Sequence, residues 1–305
     1  MPELPEVETV VAGLREHGLC GRKIVGLDLH WPRTFGAEPE VVKQVLLGHV
    51  IVAVGRRAKF IIFDLDSGTR VLAHLRMTGK FMLASGETPV GPHDRVVFHL
   101  DDGRLLLFND TRKFGRFYLC SEGNNPLERL GPEPLEAEFK LQPFAATLAR
   151  RQRAIKPLLL DQSVVAGLGN IYVDEAFWQA KIHPERPAAT LTAGEVKALH
   201  RAIRLVLADA VAHRGTTLGD GRTNFYSVAG RRGSHADHLN VFRRDGEPCP
   251  RCHTTISRSV VGQRGTHFCH NCQPPPGGHS PAGVPALAGS QKGPSGPTAH
   301  GCKRG

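Results

Sequence analysis

The sequence contains no apolar run approaching the ~18–20 residues that span a bilayer. It also opens without the charged-then-apolar pattern of a secretory signal. These absences predict an intracellular, cytoplasmic protein with no membrane association. A secreted disulfide framework is missing too. Of seven cysteines, four fall in two Cys-x-x-Cys pairs, while Cys20, Cys120 and Cys302 are scattered. Acidic residues are in deficit: 29 Asp and Glu face 39 Lys and Arg, a net charge of +10. Such a basic excess calls for a polyanionic partner, nucleic acid first and an acidic membrane surface second. Residues 274–305 hold no acidic residue at all and are rich in Pro, Gly and Ser. That stretch cannot bury enough apolar surface to order itself, and a disordered tail is expected.

What is present fills 305 residues, enough for two domains with cores of their own. Val7, Val10, Val11 and Leu14 recur at helical spacing after Pro5, and Gly18 can close that helix. A strand is expected from Lys23 to His30, then a short helix through Val41, Val42, Val45 and Leu46. From Val50 to about Leu119 the pattern is short β-rich runs, punctuated by Asp66-Ser67-Gly68, Ser85-Gly86 and Asp101-Asp102-Gly103. Two helices and roughly eight strands predict a β-sandwich with flanking helices over residues 1–120. Residues 121–143, rich in Gly, Asn and Pro, read as a linker. Helical segments follow at Phe144–Arg151, Ile155–Gln162, Tyr172–Ala180 and Thr192–His213, the last opened by the capping box Thr192-x-x-Glu195. Residues 219–240 are polar, Gly-rich and basic, a mobile loop closing a helical domain of 144–240. The fold class is therefore α+β and multidomain.

Cys249-x2-Cys252 and Cys269-x2-Cys272, sixteen residues apart, have the spacing of a four-thiolate zinc site in a module of 241–273. Four thiolates leave no open coordination position, so one structural Zn2+ is expected. Between the two pairs lie Arg258, Gln263, Arg264 and Thr266, and arginines at a hairpin tip can clamp phosphate oxygens bidentately.

The first residues, Met1-Pro2-Glu3-Leu4-Pro5-Glu6-Val7-Glu8, hold the most specific chemistry. Removal of Met1 would leave Pro2 as a secondary α-amine, and such amines titrate near ~7.7–8.0. Attack by that amine on a sugar C1′ gives an iminium, a cationic electron sink. Glu3 stands beside it as a carboxyl able to trade a proton, although acids at a helix start also serve the helix dipole alone. Lys59, in Arg56-Arg57-Ala58-Lys59-Phe60, is a candidate proton carrier or phosphate ligand if it points inward. Met77, in His74-Leu75-Arg76-Met77-Thr78-Gly79-Lys80, and Phe114, in Asn109-Asp110-Thr111-Arg112-Lys113-Phe114-Gly115, sit at turn tips. There an apolar finger can fill the gap left by a flipped base, or simply pack in a core. The turn Gln162 to Asn170 places glycines ahead of a helix, a ready anion site, and Lys156 could meet the same phosphate.

Together these motifs resemble the formamidopyrimidine-DNA glycosylases, from Pro2 to about Gln273. The elements occur in that family's order: Pro-Glu-Leu-Pro-Glu-Val-Glu-Thr, the Lys59 turn, His-Leu-x-Met-x-Gly, Asn-Asp-x-Arg-x-Phe-Gly, Gly-x-Gly-Asn-Ile-Tyr and the four-cysteine finger with Gln263-Arg264. The resemblance implies a β-sandwich, a helix-two-turn-helix domain and a zinc-finger hairpin, holding damaged double-stranded DNA in the cleft between them. It implies a bacterial, nucleoid-associated monomer that excises oxidised purines and nicks the abasic site by β,δ-elimination. Pro2 would be the Schiff-base nucleophile and Glu3 the ring-opening acid. Lys59 and Arg264 would support phosphate binding and elimination. Met77, Arg112 and Phe114 would enter the vacated stack, and His93, Arg151, Lys156 and Asn170 would touch DNA. Arg76 and Lys113 depart from the commoner glycine and arginine, and the Thr223–His238 loop carries Arg231-Arg232 and two histidines, which bears on lesion preference. Two rivals are a sister branch resembling endonuclease VIII, which prefers oxidised pyrimidines and usually opens Pro-Glu-Gly-Pro, and a zinc-finger DNA reader without catalysis.

Overall fold

The N-terminal helix α1 (Leu4–Glu16) forms where expected because Pro5 sits in its first turn, needing no amide there, and Glu3 precedes it as the N-cap. Its apolar stripe, Val7, Val10, Val11 and Leu14, is buried, and Gly18 takes φ +69° just past its end. The computed structural model describes residues 1–120, 125–218, 228, 230 and 232–275. Half of the expected loop 219–240, and the expected tail from residue 276 onward, therefore lie outside the described residues.

After α1 come β1 (Arg22–Leu29), α2 (Pro39–Leu46), β2 (Val50–Arg57), β3 (Phe60–Leu65), β4 (Arg70–His74), β5 (Lys80–Ser85), β6 (Asp94–Leu100), β7 (Arg104–Asn109) and β8 (Arg116–Leu119). Every strand pairing is antiparallel, in the order β5-β7-β6-β1-β2-β3-β4-β8. The strand β1 serves both halves. Arg22 and Lys23 pair with β2, the register breaks between Ile24 and Gly26, and the remainder pairs with β6. Gly26 fits there because an added Cβ would lie 3.1 Å from the His99 ring. The sheet thus folds over itself as the expected sandwich. Phe63 and Phe117 from one half meet Phe81, Phe98 and Phe108 from the other at centroid separations of 4.9–6.0 Å. Helices α1 and α2 close the same core with Val7, Leu14, Val42 and Leu46.

The described part of the segment expected as a linker, from residue 125 onward, is packed. A 3-10 turn at Pro126–Arg129 lays Leu127 and Leu130 over Phe60, Ile62 and Leu72, the outer face of β3 and β4. Phe139 is 2% exposed in the core of the helical domain. Leu127, Leu130 and Phe139, rather than the Gly and Pro content, decide the matter.

The helical domain consists of α3 (Leu141–Ala149), α4 (Ile155–Leu159), α5 (Asn170–Ala180) and α6 (Ala193–Ala212). Thr192 and Glu195 make the reciprocal capping box read from the sequence. The helix expected to run to Gln162 stops at Leu159, because the Asp161 carboxylate turns the chain by accepting from Ser163 N at 3.1 Å. The last hairpin pairs β9 (Ser257–Val261) with β10 (Arg264–Phe268) across Gly262 and Gln263, both at positive φ as a tight hairpin turn requires. It docks on α5. The Glu175 carboxylate accepts from the backbone N–H groups of Asn240, Val241 and Phe242, each at 2.9 Å. No helix among the described residues is long and apolar enough to cross a membrane.

Candidate active site

Pro2 is buried on the wall of a cleft of about 240 Å³, which Glu6, Met77, Arg112, Ile171 and Thr216 also line. Met1 also lines this cleft and is half exposed. The cleft lies where the sandwich meets the start of α5. Glu3 points at that helix start: its carboxylate accepts from Ile171 N at 2.9 Å, among the amides that have no partner inside the helix. Gly169 permits the approach, since a Cβ there would fall 2.3 Å from Glu3 Cδ. Burial pushes the Glu3 carboxyl up to about 7, against the pull of the Lys59 ammonium and with the repulsion of Glu6. A carboxyl poised there can give or take a proton near neutrality.

Lys59 is 5% exposed, and its ammonium donates to Leu168 O at 2.8 Å. Burial lowers its proton affinity, while Glu3 and Glu6 restore part of it and Arg264 opposes them. Lys59 sits in the two-residue turn between β2 and β3. Ala58 at φ 52° lets the chain reverse there. Pro2, Glu3 and Lys59 thus converge as expected, with Arg264 of β10 near enough to act on Lys59 electrostatically.

Glu6 was not assigned a role from the sequence. It is 1% exposed and accepts from Glu3 N at 2.8 Å, Thr216 N at 2.7 Å and the Tyr172 hydroxyl. It therefore fixes the chain at the Pro2–Glu3 junction, and burial raises its carboxyl above the usual range. Its partners lie 166 and 210 residues away in sequence, which no local motif reveals.

The exposed tips form a second group. Met77 is 42% and Phe114 45% exposed, and the Arg112 guanidinium lies 4.6 Å from the Phe114 ring centroid. Large apolar side chains at turn tips are not core residues here. Asp110, 1% exposed, ties the two turns together. It accepts from the Thr78 hydroxyl, from Arg112 N at 3.2 Å and from Gly115 N at 2.7 Å. His74 supports the first turn by accepting from Arg76 N at 3.0 Å, and burial pushes its imidazole down to about 3, keeping it neutral. His93 lies alongside, exposed, with Nδ1 3.1 Å from Arg95. Arg151 is exposed beyond the end of α3 and outside the cleft lining.

Lys156 differs from expectation. It is 0% exposed, and its ammonium donates to Asp174 Oδ1 at 2.7 Å, Gly265 O at 3.0 Å and Thr266 Oγ1 at 2.9 Å. Its three N–H groups are thereby used, and none is left for a phosphate. Asn170 joins it, donating to Gly265 O at 3.0 Å, while its Oδ1 is buried without a partner among the described residues. Both side chains hold the hairpin against the helical domain.

The four cysteines meet as expected. Their sulfurs lie within 4.8 Å of one another, with Cys252–Cys269 at 3.4 Å and Cys249–Cys272 at 4.0 Å. A tetrahedral zinc with bonds of ~2.3 Å places its sulfurs ~3.8 Å apart. The donor set fits one structural zinc. Trp178 donates to Cys249 Sγ at 3.3 Å, orienting the thiolate.

Comparison with known proteins agrees with this geometry. Residues 1–117 match the formamidopyrimidine-DNA glycosylase N-terminal domain, 130–221 its H2TH domain, and 246–275 the zinc finger found in FPG and IleRS. A formamidopyrimidine-DNA glycosylase of Chloroflexus aggregans is 49% identical over 276 residues, covering 90% of this chain and 98% of that protein. One from Protochlamydia amoebophila is 46% identical over 274 residues, covering 90% and 99%. The crystal structure of the MutM (Fpg) protein from Thermus thermophilus superposes with a TM-score of 0.81 at 40% identity, covering 89% of this chain and 98% of that one. The Lactococcus lactis Fpg bound to DNA containing an abasic site gives 0.83 at 37% identity, covering 90% and 100%. With three domain matches in order and relatives aligned over nearly their whole length, this chain belongs to the formamidopyrimidine-DNA glycosylase family.

Proposed function

We propose that the chain is a base-excision-repair DNA glycosylase and abasic-site lyase that removes oxidised purines from double-stranded DNA. The observation that carries this reading is Glu3: a buried carboxyl held at the start of α5 by Ile171 N, directly following a buried Pro2 in a cleft. Once Met1 is removed, the Pro2 nitrogen attacks C1′ of an extruded nucleotide. The bond from C1′ to the base breaks, and the base leaves with its electron pair and takes up the proton released from the Pro2 nitrogen. Glu3 protonates the ring oxygen as the C1′–O4′ bond opens, giving the iminium. Loss of a C2′ proton then expels the 3′ phosphate, and a second elimination expels the 5′ phosphate. Lys59 and Arg264 supply positive charge to the phosphates and the elimination steps.

Met77, Arg112 and Phe114 occupy the space vacated by the flipped base. Flipping costs a few kcal/mol, least for a lesion already weakly paired, and their stacking offsets part of it. The net charge of +10 supports salt-sensitive affinity for the backbone, which a lesion-searching enzyme requires. Lys156 belongs to the brace of the finger in this reading and not to the DNA contacts. The test is borohydride reduction during reaction with an 8-oxoguanine duplex. A covalent protein–DNA adduct is expected from the processed wild type and none from Pro2→Gly. Retained binding with no adduct on any damaged duplex would leave a reader without catalysis.

A further inference from the structure

At the end of α6, apart from the four cysteines, Asp209, His213 and His235 bring a carboxylate and two ring nitrogens within 4.8 Å of one another. We propose that these three side chains form a second metal site, for a borderline divalent ion of the Zn2+ class, which clamps the end of α6 to the turn at His235–His238. The separations have the right scale. Asp209 Oδ2 lies 3.4 Å from His235 Nδ1 and 3.8 Å from His238 Nδ1. A tetrahedral ion with bonds of ~2.0–2.1 Å holds its donors ~3.3–3.4 Å apart, longer than a good hydrogen bond.

His235 supplies the second, independent observation. It is 3% exposed, and its Nδ1 has no hydrogen-bond partner among the described residues. A buried ring nitrogen that faces a carboxylate at 3.4 Å without a hydrogen bond is short of a partner. His213 turns its ring to the same residue: its Nδ1 lies 3.4 Å from Asp209 Oδ1 and 2.8 Å from the Asp209 carbonyl oxygen. The Asp209, His213 and His238 side chains are 49%, 32% and 44% exposed, which gives an ion a route in and leaves room for water or His238 as the fourth ligand. A donor set of imidazole and carboxylate suits Zn2+, Ni2+, Co2+ or Cu2+ and not the all-oxygen preference of Mg2+ or Ca2+.

The ion would join two stretches on either side of residues 219–231. Ser234 N already donates to His213 O at 3.0 Å and His235 N to Gly215 O at 3.1 Å. The His235 ring also lies 5.6 Å from Tyr172, whose hydroxyl reaches Glu6.

Full-length, untagged protein is dialysed against buffered Zn2+ and its metal counted. Two ions per chain are expected in the wild type and in Asp237→Ala. One is expected in Asp209→Ala and in His213→Ala, with affinity for the second ion at least ~10-fold weaker. Co2+ added to protein already holding its thiolate-bound zinc should show ligand-field bands without thiolate charge transfer, a readout that needs no variant. One ion in the wild type overturns the proposal. So does a second ion that persists in both variants, since it then sits elsewhere, or a cobalt spectrum with thiolate character.

Discussion

Lys156→Met separates two roles for one lysine. In the structure the Lys156 ammonium is wholly buried against an equally buried Asp174, 2.7 Å away. Removing the cation strands the carboxylate, and breaking a buried pair costs ~3–5 kcal/mol. The Asp174 carboxylate retains His267 N at 2.9 Å, which places the loss at the lower end of that range. Because Lys156 also donates to Gly265 and Thr266, the damage should concentrate at the finger. Denaturant unfolding should register ~3 kcal/mol, and zinc should pass to a chromogenic chelator faster than in the wild type. DNA affinity should fall with the finger loosened, while the slope of log Kd against log salt stays unchanged. A lysine bound to phosphate predicts the opposite, a slope reduced by ~0.9 with stability intact. That second pattern would refute the brace. Lys156→Met/Asp174→Leu, which removes both charges, should recover part of the stability.

Glu3→Gln should cut turnover by ~10²–10⁴-fold, measured by single-turnover excision. Burial raises this carboxyl, so its native form favours the proton. That contribution to stability is full below pH ~4.5 and is lost as pH rises through about 7. The variant should therefore melt higher than wild type at pH 8 and alike at pH 4, by calorimetry. Gly169→Ala should displace Glu3 from the start of α5, given the 2.3 Å approach, and cost ~10²-fold in rate with the zinc retained. Phe114→Ala should weaken binding to a lesion duplex by ~1–3 kcal/mol in a titration, and equal affinity for both proteins would remove Phe114 from the stack.

The local motifs were legible because their chemistry is local. The cysteine spacing, the capping box at Thr192 and the apolar stripe of α1 each depend on residues a few positions apart. The acids that assemble the molecule were not legible in this way. Glu133 pairs with Arg56 at 2.7 Å across 77 residues, and Glu3 meets Ile171 across 168. A one-dimensional pattern cannot distinguish such buried acids from solvated ones. Lys156 was misjudged for the same reason, since a lysine near a glycine turn reads as an anion ligand until Asp174 is placed beside it. The linker was misjudged because composition outweighed Leu127, Leu130 and Phe139, three apolar residues too irregularly spaced to signal an element.

Helix α5 begins at Asn170, where the amides receive Glu3, and one turn later presents Asp174 to the hairpin and Glu175 to the chain at Asn240, Val241 and Phe242. At 1.5 Å per residue the two duties are separated by only ~6 Å along a single rigid rod. Any tilt that the hairpin imposes on its anchor points is felt at the proton donor as well. Grip on the strand and aim at the sugar are geared to the same shaft.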